Sequence, residues 1–140
     1  MREIIFKGKR IDNGEWVEGF YYKMSETTYC FAEDYERNPV PEHHYILQER
    51  MTDWGLPNQI IQIEVDPESI CQFTGLCDKS GNKIWENDIL KYEWGEEKID
   101  VVEYQPPIFT YSKSMRWSLN KDEVIGNIFD NPELLQEEHK

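Results

Sequence analysis

Positive charge is scarce in this chain. Only 15 lysines and arginines stand against 28 aspartates and glutamates in 140 residues, a formal net charge of −13. A surface of that sign repels phosphate backbones, which argues against direct binding to duplex nucleic acid. Cysteine is scarce as well. Cys30, Cys71 and Cys77 form an odd set without C-x-x-C spacing, which argues against a disulfide framework and a zinc site and leaves them as small buried hydrophobes. No apolar run approaches the roughly 20 residues of a membrane-spanning helix, and Met1 to Lys7 lacks the apolar centre of a signal peptide. A cytoplasmic protein without a membrane partner is therefore expected. No phosphate-cradling glycine motif and no G-x-S-x-G is present, and Ser69, Thr74 and Ser80 have no histidine beside them. The sequence nominates no catalytic residue and no cofactor.

Aromatic residues are plentiful, with five Trp, eight Tyr and six Phe, and such side chains favour pleated surfaces and bury large areas. Short strand-like runs recur between turn signals. Glu3 to Lys7 reads as a strand, Asp12-Asn13-Gly14 as a turn, and Glu15 to Tyr22 as a partner strand, apolar on both faces, with a bulge at Gly19. Thr27 to Phe31 suggests another strand. From residue 32 to about 58 neither a period of 2 nor one of 3.6 persists, and two proline-bearing segments interrupt it, so a long loop excursion is expected, with a short element at Tyr45, Ile46 and Leu47. Ile61, Ile63 and Val65 alternate with Gln62 and Glu64 as in a half-buried strand. Further on, Leu90, Tyr92 and Trp94 form an apolar stripe that returns through Ile99 to Tyr104, and Ile108 to Tyr111, Met115 to Leu119 and Val124 to Phe129 are additional strands. Asn131-Pro132-Glu133 opens a short helix, with Asn131 as its N-cap. The whole predicts one domain over 1–140: mainly β, antiparallel and barrel-like, closed by a short C-terminal helix.

The most distinctive stretch runs from Phe73 to Leu90. Asp78-Lys79-Ser80-Gly81-Asn82 is a turn between two strands, and Gly75 marks a bulge or a close backbone approach. Its wording, "QFTGLCDKSGNKIWENDI", resembles the hallmark of the YopX family of phage and prophage proteins. Arg10, Gly14, Glu15, Trp16, Val17 and Gly19 match that family's opening, and Val124 to Leu135, "VIGNIFDNPELL", matches its close. The chain departs from the pattern at Ser69, Cys71 and Asn87; asparagine tolerates left-handed backbone, so Asn87 preserves the turn. The resemblance implies a phage or prophage accessory protein with no established biochemical activity, and it brings no active site.

Three functional classes follow. The first is a non-enzymatic protein that binds another protein: a host or phage partner, or a second copy of itself. Residues Met1 to Arg10 carry Arg2, Lys7, Lys9 and Arg10 against Glu3, a local +3 that leaves −16 for the rest, so this basic strand is suited to an acidic surface, its own chain's or another's. Trp54, beside Gly55 in the excursion, is a candidate exposed anchor. The second class is a small metal-dependent hydrolase. Glu86 and Asp88, two apart on a strand, share a face and could hold a hard cation, although they are only two ligands and Asp88 is better suited to accepting hydrogen bonds from turn amides. The His43-His44 pair is the other metal option: on a strand the two point to opposite faces and cannot chelate one ion, but a loop could present both, with Glu42 beside them and Cys30 upstream. The third class is a nucleic-acid mimic, in which carboxylates imitate phosphates on a continuous acidic face.

Overall fold

The computed structural model describes residues 3–94, 96–105, 108–111 and 121–137. Met115 to Leu119, Trp117 and Pro106-Pro107 lie outside these residues. The chain divides into two compact units, Ile5–Ile70 and Cys71–Lys140 together with Met1–Ile4. The described strands form antiparallel sheets with two short helices, and no closed barrel is found among them.

In the first unit β1 (Phe6–Lys9), β2 (Trp16–Ser25), β3 (Glu42–Arg50) and β4 (Gln59–Glu64) pair in the order β4-β3-β2-β1. The β1–β2 turn behaves as its residues dictate. Gly14 takes a positive φ of 73°, and the Glu15 amide donates to Asn13 Oδ1 at 2.9 Å, an Asx turn. Register then assigns faces. Phe20 lies opposite Leu47 and Tyr22 opposite Tyr45, while Tyr45 and Leu47 oppose Glu64 and Gln62. The opposite face carries Ile46 and, just past β4, Val65, both fully buried, with Ile61 and Ile63 half-buried beside them. The alternation of Ile61, Ile63 and Val65 is thus inward, as expected.

Three expectations need correction here. Residues 32–58 are not a loop excursion: they hold α1 (Ala32–Arg37) and the nine-residue β3. β3 sits between two strands, and their ladder hydrogen bonds hold a segment whose own sequence, with one fully buried side chain, gives little periodic signal. Thr27 to Phe31 is irregular rather than a strand. Gly19 is not a bulge, since β1 and β2 pair in unbroken register. It admits a close approach instead: a Cβ there would collide with the backbone oxygen of Leu47.

The second unit contains the hairpin β5 (Cys71–Cys77) and β6 (Lys83–Trp85), and a sheet of β7 (Asp88–Trp94), β8 (Glu96–Gln105), β9 (Ile108–Tyr111) and β10 (Glu123–Asn127) in the order β10-β7-β8-β9. α2 follows at Glu133–Glu137. Ile84, Leu90, Tyr92, Val102 and Tyr111 form one buried cluster, with Phe109 and Val124 packed against it. The rings of Tyr92 and Tyr111 stack at 4.6 Å. The hairpin loop is pinned by Asp78, whose Oδ1 accepts the Ser80 and Asn82 amides at 2.9 and 2.8 Å and whose Oδ2 accepts the Val124 amide at 3.0 Å. Burial pushes this carboxyl up, but the bonds from the Val124, Asn82 and Ser80 amides outweigh it and hold the group below the usual aspartate range. Gly75 and Gly81 have φ of 88° and Asn87 70°, and the β5–β6 register shifts between Phe73 and Cys77, so the expected bulge and turns are all present. Near α2, Asn131 Oδ1 turns back to accept the Asn127 amide at 3.3 Å, where a side-chain cap had been expected.

Candidate interaction face

The face of the first unit's sheet opposite Ile46 is built by alternate residues of all four strands. β1 contributes Lys7 and Lys9, β2 contributes Trp16, Glu18, Phe20, Tyr22 and Met24, and β3 contributes His43, Tyr45, Leu47 and Glu49. β4 adds Ile60, Gln62 and Glu64. Side chains of this kind ordinarily face a core, yet Phe20 is 64% exposed, Tyr22 49% and Ile60 76%. Phe20, Leu47, Glu49, Asn58 and Ile60 line a groove of about 470 Å³. At the tip of the β3–β4 hairpin Trp54 is 97% exposed, with Met51 and Leu56 also exposed. Apolar surface concentrated in this way marks an interaction site more often than single exposed residues do.

The charged groups at the margin are arranged unevenly. Lys7 Nζ and Lys9 Nζ lie 4.5 and 5.3 Å from the Trp16 ring centroid, so both cations rest on an aromatic surface. Arg10, at the end of the basic stretch, is paired with Asp12 at 2.7 Å. At the other end His43 lies between two carboxylates, with Nδ1 3.0 Å from Glu64 and Nε2 3.3 Å from Glu26. Hydrogen bonds to Glu64 and then Glu26 raise its pKa above the ordinary histidine value. His44 points the opposite way, its Nδ1 2.6 Å from the Tyr21 hydroxyl, so the two histidines do diverge.

The other nominated residues serve the scaffold. Asp88, 3% exposed, accepts the Trp85 amide at 2.8 Å, the amide-accepting role its turn suggested, and Glu86 Oε1 lies 3.4 Å from the Gln72 amide. Ser69 Oγ accepts from the Lys9 amide and donates to the Asp66 carbonyl, both at 2.7 Å. Thr74 Oγ1 donates to the Ile84 carbonyl at 2.7 Å. Cys71 is buried as expected, while Cys30 and Cys77 are exposed, a correction explained by their positions in an irregular segment and at a strand end. Among the described residues no three His, Cys, Asp or Glu side chains converge to hold a metal ion; around His43 the two carboxylates occupy opposite nitrogens of the ring. No helix among the described residues is long and apolar enough to cross a membrane.

Sequence reasoning found Trp54 but not the face behind it. The available signal was Ile60, an apolar residue out of phase with Ile61, Ile63 and Val65 on the same strand. Phe20 and Tyr22 fall in one row of the strand read over Glu15 to Tyr22, but which row meets water depends on β3.

The chain has a similar fold to the crystal structure of protein EF1440 from Enterococcus faecalis, at 21% sequence identity and a TM-score of 0.54, over 96% of this chain and 99% of that one. A comparison with curated proteins finds no match. The family model described as "YopX protein" matches residues 6–136. That match spans the opening motif, the Phe73 to Leu90 hairpin and the "NPELL" close, and on it the chain belongs to the YopX family.

Proposed function

We propose that this YopX-family chain is a phage- or prophage-derived accessory protein of the cytoplasm that works by binding another protein, not by catalysis. One observation carries the reading: an ordered sheet face whose central side chains are aromatic and aliphatic and stand in water. Such a face loses favourable free energy until it is covered, at about 25 cal/mol for each Å² of apolar surface removed from water. The family resemblance supplies the genetic context. Two kinds of occupant come from the sequence: a second copy, drawn by Lys7 and Lys9, or a distinct host or phage protein. The reading also treats 1–140 as one domain, which a single calorimetric transition would support.

The test is affinity capture from host cells carrying the prophage, with the wild-type chain and the double variant Phe20→Ser, Ile60→Ser. Capture of a defined protein by the wild type and its loss in the variant is the expected result. Equal capture by both removes the face from the account. The hydrolase reading is tested separately by melting with and without divalent ions, using Glu86→Gln with Asp88→Asn, since a metal that binds the folded state must stabilise it.

A further inference from the structure

We infer that the occupant of this face is a cationic protein surface, apolar at its centre and ringed by lysine or arginine, and not a second copy of this chain; the inference rests on the protein-binding reading above. The argument is charge complementarity. Residues 5–70 hold six basic and thirteen acidic side chains, a balance of −7 within the chain's −13. On the face itself Glu18, Glu49 and Glu64 share the rows of Phe20, Leu47 and Ile60. Its two lysines are held over Trp16 at one side. The groove repeats the pattern at small scale: Phe20, Leu47 and Ile60 form apolar walls, and Glu49 stands at the rim, its Oε1 held 2.8 Å from the Asn58 carboxamide. A carboxylate fixed beside an apolar groove suits a partner that presents an aliphatic or aromatic side chain next to a cation.

Self-docking meets the opposite condition. Two copies each carry a net charge of −13, and a charge that far from zero opposes their association. Like charges placed in apposition exclude a partner as effectively as clashes do. Attraction to a basic partner, by contrast, steers encounter and falls with ionic strength.

The probe is a labelled 18-residue amphipathic peptide of leucine and lysine, titrated with the full chain by fluorescence anisotropy. Two control peptides replace leucine with serine or lysine with glutamate. The expected result is saturable binding of the leucine–lysine peptide only, weakened at least tenfold by Phe20→Ser with Ile60→Ser, weakened less by Glu18→Gln with Glu49→Gln, and weakened by added salt. Equal binding of the serine–lysine peptide overturns the inference, because charge alone then suffices. So does unchanged binding by the Phe20/Ile60 variant, or no binding at all. Sedimentation of the chain without peptide supplies the last arm. A monomer is expected, and a dimer abolished by the Phe20/Ile60 variant assigns the face to a second copy, overturning the inference while the protein-binding reading stands. If affinity capture is unaffected by that variant, the face leaves the protein-binding reading and this inference falls with it; if the wild type captures nothing, the protein-binding reading itself falls.

Discussion

The two units use the same kinds of residue in opposite ways. In the second, Tyr92, Tyr111 and Trp85 are buried and its hairpin loop is fastened through Asp78. In the first, Phe20, Tyr22 and Met24 stand in solvent on a sheet whose opposite face is anchored by Ile46 and Val65. Aromatic content alone therefore says nothing about where the core is. What distinguishes the two units is whether the polar groups near the aromatics are enclosed or stand at an open margin. Asp78 and Asp88 are enclosed by amides, whereas Glu18 and Glu49 are exposed beside Phe20 and Ile60.

The largest test of that contrast is Asp78→Ala. It strands the amides of Ser80, Asn82 and Val124 in a nearly buried site, and a loss of about 3 kcal/mol is expected, since bonds to a charged acceptor are strong and orphaned donors are costly. Chemical denaturation measures it; a change below about 1 kcal/mol would show that the loop does not fasten this unit. The carboxyl's lowered pKa gives the same bond a pH signature. Its contribution is present above the unfolded value of about 3.9 and is lost as pH falls through the lower folded value.

Gly81→Val comes next. Nothing lies within 4 Å of the added Cβ, so the penalty is one of backbone alone, about 1–2 kcal/mol for a residue held at a φ of 88°. Melting like the parent would contradict the turn as described.

A smaller effect is expected at His43, at the margin of the open face. Its pKa is raised by Glu64 and then Glu26, so the protonated ring is favoured by folding. That contribution is fully present below the unfolded value of about 6.5 and disappears as pH rises through the raised folded value. The melting temperatures of the wild type and His43→Gln should differ at pH 6 and converge at pH 9. A gap that is constant with pH would assign His43 a packing role through Tyr45, whose ring lies 6.2 Å away.

The smallest effect on stability belongs to the face itself. Phe20→Ser with Ile60→Ser should alter unfolding free energy by no more than about 0.5 kcal/mol per site, because both side chains are already in water. A loss comparable to Asp78→Ala would make the face part of a core.

Much of the scaffold was legible from local chemistry. The Asp78 to Asn82 turn, the left-handed Asn87, the bulge at Gly75 and the inward Ile61-Ile63-Val65 row each follow from residues close in sequence. The open face was not legible for a physical reason. It depends on β3, where only Ile46 is fully buried and His43, His44 and Gln48 blur the alternation, so the strand exists through its neighbours and not through its own pattern. Without β3, Phe20 and Tyr22 have no assigned side. Asn131 illustrates the same limit at smaller scale: its spacing fits an N-cap, but its carboxamide finds the Asn127 amide across a turn.

If the open face of the first unit is the binding surface, a ligand covers it and leaves the packed second unit unchanged. Hydroxyl-radical footprinting of the full chain, with and without the leucine–lysine peptide, tests it side chain by side chain. Both units offer exposed apolar reporters: Phe20, Tyr22, Met24 and Ile60 on the face, and Leu76 and Tyr104 in the second unit. Protection of the first four is expected, with no change at Leu76 and Tyr104. Protection at Leu76 and Tyr104, or an equal decrease at all six, would contradict it.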